Sequence, residues 1–201
     1  MGLAVAERYA LEGFAVYALS RIAARLSSTA SRLRSRGLDI AVIDCEPSNI
    51  DSVETAIRAI ERRGGSCDVL VYNAFVDDMR IPSPFDPRAI PDERHAEHAD
   101  VSALIRRRVA AMLAKQGGAL VFAMYDVPES GTKTLREFVD TLADEIEPAG
   151  IRVGIVTIDG ALPTSEAELA AIADVYWDVF FCAEHQHRRE RRVRTRRPFR
   201  A

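Results

Sequence analysis

Apolar residues fall along this chain in two alternating patterns. Short, nearly continuous apolar runs occur at FAVYALS, LDIAVID, DVLVYNA, GALVFAM and IRVGIVTID. Each has the length of a strand buried on both faces and lacks strict in–out alternation. Between them lie stretches with helical spacing: Ala23 to Ser35, Ile50 to Arg63, Val101 to Lys115 and Thr134 to Glu147. In the last, Leu135, Phe138, Val139, Leu142 and Ile146 form one apolar stripe. Glycine precedes nearly every strand, where it ends a helix well. Helix alternating with strand predicts a doubly wound parallel sheet in three αβα layers. Residues 1–201 are expected to form one Rossmann-like domain, with 184–201 as a basic C-terminal arm. The segment DDMRIPSPFDPRAIPDERHAEH, with four prolines, is the one long irregular excursion. The chain opens on a helical pattern, GLAVAERYALEG, and runs straight into the first strand.

Composition narrows the class. With 201 residues, 48% of them hydrophobic, the chain can bury a sizeable core. It has no run of 18 apolar residues, and its start lacks the charged and apolar regions of a secretion signal. Cys45, Cys67 and Cys182 are scattered without CxxC spacing, which predicts free thiols in a reducing compartment. A cytoplasmic protein is expected. Net charge is −3, yet RRERRVRTRRPFRA holds eight arginines and one glutamate. Such a tail can neutralise phosphates, but no nucleic-acid-reading module accompanies it, and a solvated edge strand or arm is the plainer reading.

The order of small motifs resembles the short-chain dehydrogenase/reductase family over nearly the whole chain. In that family a first strand ends in a glycine-rich loop, followed by a helix like GLAVAERYALEG. Gly2 then matches the last glycine of the loop, and Met1 the residue before it. Arg21, after ALS, stands where NADP-preferring members place a cation for the 2′-phosphate, a good guanidinium partner. Asp44, ending VID, matches the adenine-contacting Asp. Asn73 and Ala74 resemble the start of the Asn-Ala-Gly turn, with Phe75 in place of the glycine. Asp100 in ADVSAL falls at the catalytic Asn position. IDGALPT, which contains Asp159 and Gly160, together with DVYWDVF and RPF, resembles an atypical subgroup that often lacks the catalytic Tyr. The resemblance implies NADP, or NAD, as cofactor, bound by Gly2, Arg21, Asp44, Asn73, Ala74, Lys133, Asp159 and Gly160. It also implies a homo-oligomer.

The catalytic pattern is where this sequence departs from the family. The family uses a Ser after the fifth strand and a Tyr-x-x-x-Lys on the next helix. Its Lys holds the nicotinamide ribose and lowers the Tyr pKa. Here Lys133 fits the Lys, Glu129 stands where the Tyr belongs, and Tyr125 lands near the Ser. Glu129 with a raised pKa could deliver a proton in a dry pocket. The plainer reading is an exposed Glu–Lys pair four residues apart. Tyr125 could act as a displaced acid or simply pack under the helix. Ser130-Gly-Thr-Lys133 matches Ser-x-x-Lys of penicillin-recognising enzymes but lacks the companion motifs. Cys182, His185, His187, His95 and His98 offer zinc ligands without the spacing of a closed site, so no metal is expected. Tyr176 and Trp177 read as core or lid packing.

The family's first strand lies mid-sheet, between its second and fourth. A chain without it leaves two ladders unpartnered, each buried unpaired group costing about 1–3 kcal/mol. Three outcomes are open: direct pairing of the flanking strands, a strand donated by another chain, or a start upstream of Met1, the favoured one. With only Gly2 of the phosphate loop, impaired cofactor binding is expected. The leading expectation is hydride transfer between a nicotinamide and a carbonyl or alcohol. A non-catalytic scaffold acting through oligomerisation is the rival; nucleic-acid binding through the tail is the weakest reading.

Overall fold

The computed structural model describes residues 1–46, 49–63, 67–73, 112, 117–125, 132–160, 163, 165–181 and 190–195. The chain opens with helix α1 (Gly2–Leu11), then strand β1 (Val16–Ser20), α2 (Ala23–Ser35), β2 (Ile40–Asp44), α3 (Ile50–Glu61) and β3 (Val69–Tyr72). There follow β4 (Gly118–Tyr125), α4 (Thr132–Ile146), a 3-10 turn (Glu147–Ala149), β5 (Ile151–Asp159), α5 (Glu166–Phe181) and β6 (Glu190–Arg194). The five apolar runs supply β1 to β5. Helix α2 has the span expected from its pattern, α3 stops two residues short of Arg63, and α4 starts two residues before Thr134. Asn49 caps α3, its Oδ1 accepting the Ser52 N–H at 3.0 Å, which spares one of the orphan donors of the first turn. Apart from the helical Met112, the predicted helix from Val101 to Lys115 lies outside the described residues, as does the proline-rich segment.

All strands pair in parallel, in a Rossmann-like α/β arrangement, but the ladder comes in two pieces. One sheet is β1–β2, in register from Val16 opposite Ile40 to Ser20 opposite Asp44. The other has the order β3-β4-β5-β6. The strands expected to flank a missing neighbour, β1 and β3, do not pair with each other. Direct closure of the sheet is therefore not what this chain adopts.

The core explains why both pieces still belong to one layered fold. Alternate residues of β4 and β5 point to opposite faces, as strand geometry requires. Leu120, Phe122, Met124, Val153 and Ile155 meet Phe138, Val139, Leu142 and Ile146 of α4. Val121, Ala123, Tyr125, Val156 and Ile158 meet Val5 and Tyr9 of α1 and Ile172, Ala173, Tyr176 and Val179 of α5. Helix α1 also turns Ala6 and Ala10 toward Ala30 and Leu33 of α2 and Ile40 of β2. It thus touches both sheets. On the far face of β1–β2, α3 packs Val53, Ala56 and Ile57 against Leu19, Ile43 and Cys45. Fully burying one such aliphatic side chain stabilises by about 1.5–3 kcal/mol. Among the described residues, no helix is long and apolar enough to cross a membrane.

Candidate cofactor and active site

Parallel strands all end at one edge, and in this fold class ligands bind outside those carboxyl ends. Ser20, Asp44, Tyr72, Tyr125 and Asp159 are the last residues of β1 to β5. The first turn of α1 reaches the same edge. An added Cβ on Gly2 would stand 3.4 Å from Asn73 Nδ2, so helix start and strand end are in contact. The Ala4 and Val5 N–H groups bond the Met1 carbonyl at 2.8 and 3.2 Å. The Gly2 and Leu3 N–H groups have no intrahelical acceptor, as at any helix start. A helix N-terminus of this kind carries partial positive charge and favours an anion.

Tyrosines organise the rest of this edge. The Tyr176 hydroxyl, on a fully buried side chain of α5, donates to Asn73 Oδ1 at 3.0 Å. The Tyr9 hydroxyl of α1 donates to the Tyr176 carbonyl at 3.1 Å. Tyr125 closes β4 with its hydroxyl 3.5 Å from the Met1 sulfur. Burial raises the Tyr125 phenol above its ordinary value, so it stays protonated at neutral pH. Burial, and then the neighbouring Tyr125 and Tyr9, push the Tyr176 phenol up as well.

On the β1–β2 pair, Ser20 does two jobs. Its Oγ accepts the Ile22 N–H at 3.2 Å, and its carbonyl accepts the Cys45 N–H at 3.2 Å. These bonds set Arg21, directly after β1, alongside Asp44 at the end of β2. Both side chains are exposed.

The other sequence candidates divide sharply. Asp159 ends β5, but its carboxylate accepts from Arg194 Nε at 3.3 Å and its carbonyl from the Thr195 N–H at 2.9 Å. It therefore holds the end of β6, a role the sequence did not suggest. Gly160 is buried with φ +115°, a conformation that excludes most side chains. Lys133 lies in the first turn of α4, directly after β4 in the chain order, and its side chain is outside the described residues. Ala74, Asp100 and Glu129 are also outside them, as are Cys182 and the histidines weighed for zinc. Among the described residues no three of His, Cys, Asp and Glu gather as a metal site. What sequence reasoning missed is the hydroxyl of Tyr176. Its aromatic body was legible as core, whereas its partner was not.

A family model described as short chain dehydrogenase matches residues 1–169. The chain is similar to the short-chain dehydrogenase cctT of Talaromyces islandicus, 28% identical over 189 residues, covering 87% of this chain and 63% of the relative. It is similar also to the short-chain dehydrogenase/reductase SDRA of Arabidopsis thaliana, 29% identical over 178 residues, covering 82% of this chain and 67% of that one. The chain thus spans about two thirds of the length of these relatives. Among solved structures, a metagenomic short-chain oxidoreductase in complex with NADP superposes with a TM-score of 0.74 at 22% identity, covering 96% of this chain and 91% of the other. A short-chain dehydrogenase from Rhodopseudomonas palustris gives 0.73 at 22% identity, covering 96% and 92%. At that identity the likeness is one of fold.

Proposed function

Because this chain belongs to the short-chain dehydrogenase family, we propose that it binds a nicotinamide dinucleotide, NADP in preference to NAD, and transfers hydride between it and a carbonyl or alcohol. The observation that carries this reading is the meeting of Gly2, Asn73 and Tyr125 at the carboxyl edge of the sheet. The residues present suit the group. The α1 N-terminus would take the pyrophosphate, Arg21 the 2′-phosphate and Asp44 the adenine, with Asn73, Ala74, Asp159 and Gly160 along the nicotinamide side. With Gly2 as the only loop glycine among these residues, binding by residues 1–201 is weak.

When bound, the dinucleotide supplies or accepts the hydride. This chain's own residues handle the proton. Tyr125, kept protonated by burial, donates a hydrogen bond and then a proton to the carbonyl oxygen. Lys133 is placed by its position in α4 to hold the ribose, and its charge favours the phenolate that results. Glu129 is the alternative acid, and Asp100 the polar partner on the preceding helix. The soluble partner class is a small carbonyl or alcohol, the compartment a reducing cytoplasm, where Cys45 and Cys67 stay free thiols. The exposed Leu11 and Phe181 suit a homo-oligomer.

A second reading rests on two features: the Tyr125 hydroxyl meets a Met1 sulfur, and Glu129 replaces the family Tyr. In that reading the chain is a non-catalytic scaffold. The test is a titration with NADPH and NADH, followed by turnover on a carbonyl panel with the native chain and Lys133→Ala. Binding and turnover that Lys133→Ala abolishes support the enzyme. Binding without turnover supports the scaffold, and turnover unaffected by Lys133→Ala removes the mechanism.

A further inference from the structure

Strands β1 and β3 are the inner edges of the two sheets, and both lie beneath α1. Val16 of β1 and Val69 and Val71 of β3 pack into the same cluster as Val5 and Tyr9 of α1. Helix α1 starts beside the carboxyl end of β3, at Asn73, and delivers the chain to the amino end of β1. The two edges therefore point the same way. Every residue of β1 and β3 is only half-buried, whereas β4 is buried from Ala119 to Tyr125.

The backbone shows what these edges lack. Val16 N–H bonds the Asp39 carbonyl and Cys45 N–H bonds Ser20, so Val16, Ala18 and Ser20 face β2. Ala119 N–H bonds the Asp68 carbonyl, so Asp68, Leu70 and Tyr72 face β4. By alternation, Tyr17 and Leu19 on one side and Val69 and Val71 on the other turn their N–H groups toward the cleft. Among the described residues those four N–H groups have no backbone partner. Two parallel edges with unpaired donors and acceptors, under an apolar helix, are a template for a strand.

We propose that the cleft between β1 and β3 accepts one extended segment of another polypeptide, lying parallel to both edges and hydrogen-bonded to both. The segment is about five residues long, the length of β1. It is apolar on both faces, since Val5 and Tyr9 cover one side and Leu19 and Leu70 point to the other. It carries no proline, which would leave a ladder position unmade. The strands of a second copy do not meet these terms. The two outer edges, β2 and β6, are already paired on one side, and β6 carries Arg191, Arg192 and Arg194, which an apolar cleft rejects.

The test uses the 201-residue protein and a capped seven-residue peptide of alternating valine and isoleucine with a lysine at each end. Amide hydrogen exchange is followed by NMR. The expected result is fast exchange at Tyr17, Leu19, Val69 and Val71 in the free protein, slowed at least tenfold at saturating peptide, with a raised Tm. A peptide with proline at its centre gives neither effect. Val71→Pro, which removes a cleft-facing N–H and spares the β4 ladder, loses the response; should that variant not fold, the proline peptide still decides. Three results overturn the proposal. The four amides are already protected in the dilute free protein, they become protected only as protein concentration rises, or saturating peptide leaves them unchanged.

Discussion

The hydroxyl of Tyr176, halfway along α5, donates a 3.0 Å hydrogen bond to Oδ1 of Asn73 at the end of β3, across 103 positions of sequence. Tyr9 binds the carbonyl of the same tyrosine. One buried residue thereby ties α1, α5 and β3 together at the edge where the cofactor is proposed to sit.

Tyr176→Phe keeps the ring and removes only the donor. It leaves the Asn73 amide oxygen short of a partner, at about 1–3 kcal/mol. Urea unfolding checks this through a lowered midpoint with an unchanged slope. Because Asn73 touches Gly2, NADPH affinity falls in the same variant.

Arg21 bears on cofactor choice. Arg21→Ala weakens NADPH binding by about tenfold, roughly 1.4 kcal/mol, and leaves NADH within twofold. Parallel fluorescence titrations measure both. Equal losses for the two nucleotides remove Arg21 from the phosphate.

Glu190 makes stability pH-dependent. Burial alone raises its carboxyl, but hydrogen bonds from Thr157 at 2.7 Å and from Arg136, with the charges of Arg136 and Arg192, outweigh burial and hold it below the ordinary value. A carboxyl depressed in the folded state stabilises fully above its unfolded pKa, about 4.3, and loses that contribution as pH falls through the folded one. Glu190→Gln therefore destabilises at pH 7, and its difference from the native protein shrinks toward pH 3. Urea midpoints across that range test the slope.

Adjacent glycines give a paired test of packing. A Cβ on Gly118, at φ +146°, would meet Met112 Cγ and Sδ at 2.9 Å and the Asp68 carbonyl at 3.1 Å, whereas one on Gly117 meets nothing within 4 Å. Gly118→Ala destabilises by about 1–3 kcal/mol, and Gly117→Ala by less than about 0.5 kcal/mol. Thermal melts of the two variants make the comparison.

Much of the fold was legible in order. The apolar runs became strands because five continuous apolar residues have few ways to avoid water other than a two-faced sheet. The stripe from Phe138 to Ile146 became the inner face of α4 because helical period alone puts those residues on one side. For the site, order sufficed to place Gly2, Asn73 and Tyr125 at one edge, since every parallel strand ends there. It did not suffice for Asp159, whose carboxylate is engaged by Arg194 from a strand 35 positions away.

The sequence by itself determined the element types, the parallel ladder and the edge that carries the chemistry, because these depend on local period and on chain connectivity. Only the tertiary structure decided that Tyr176 would bond Asn73, and that β1 and β3 would stay apart with α1 across both. Those outcomes depend on which surfaces meet in three dimensions. Helix α1 packs Val5 and Tyr9 on one sheet and Ala6 and Ala10 on the other, and that division holds the two edges at a strand's distance instead of letting them close.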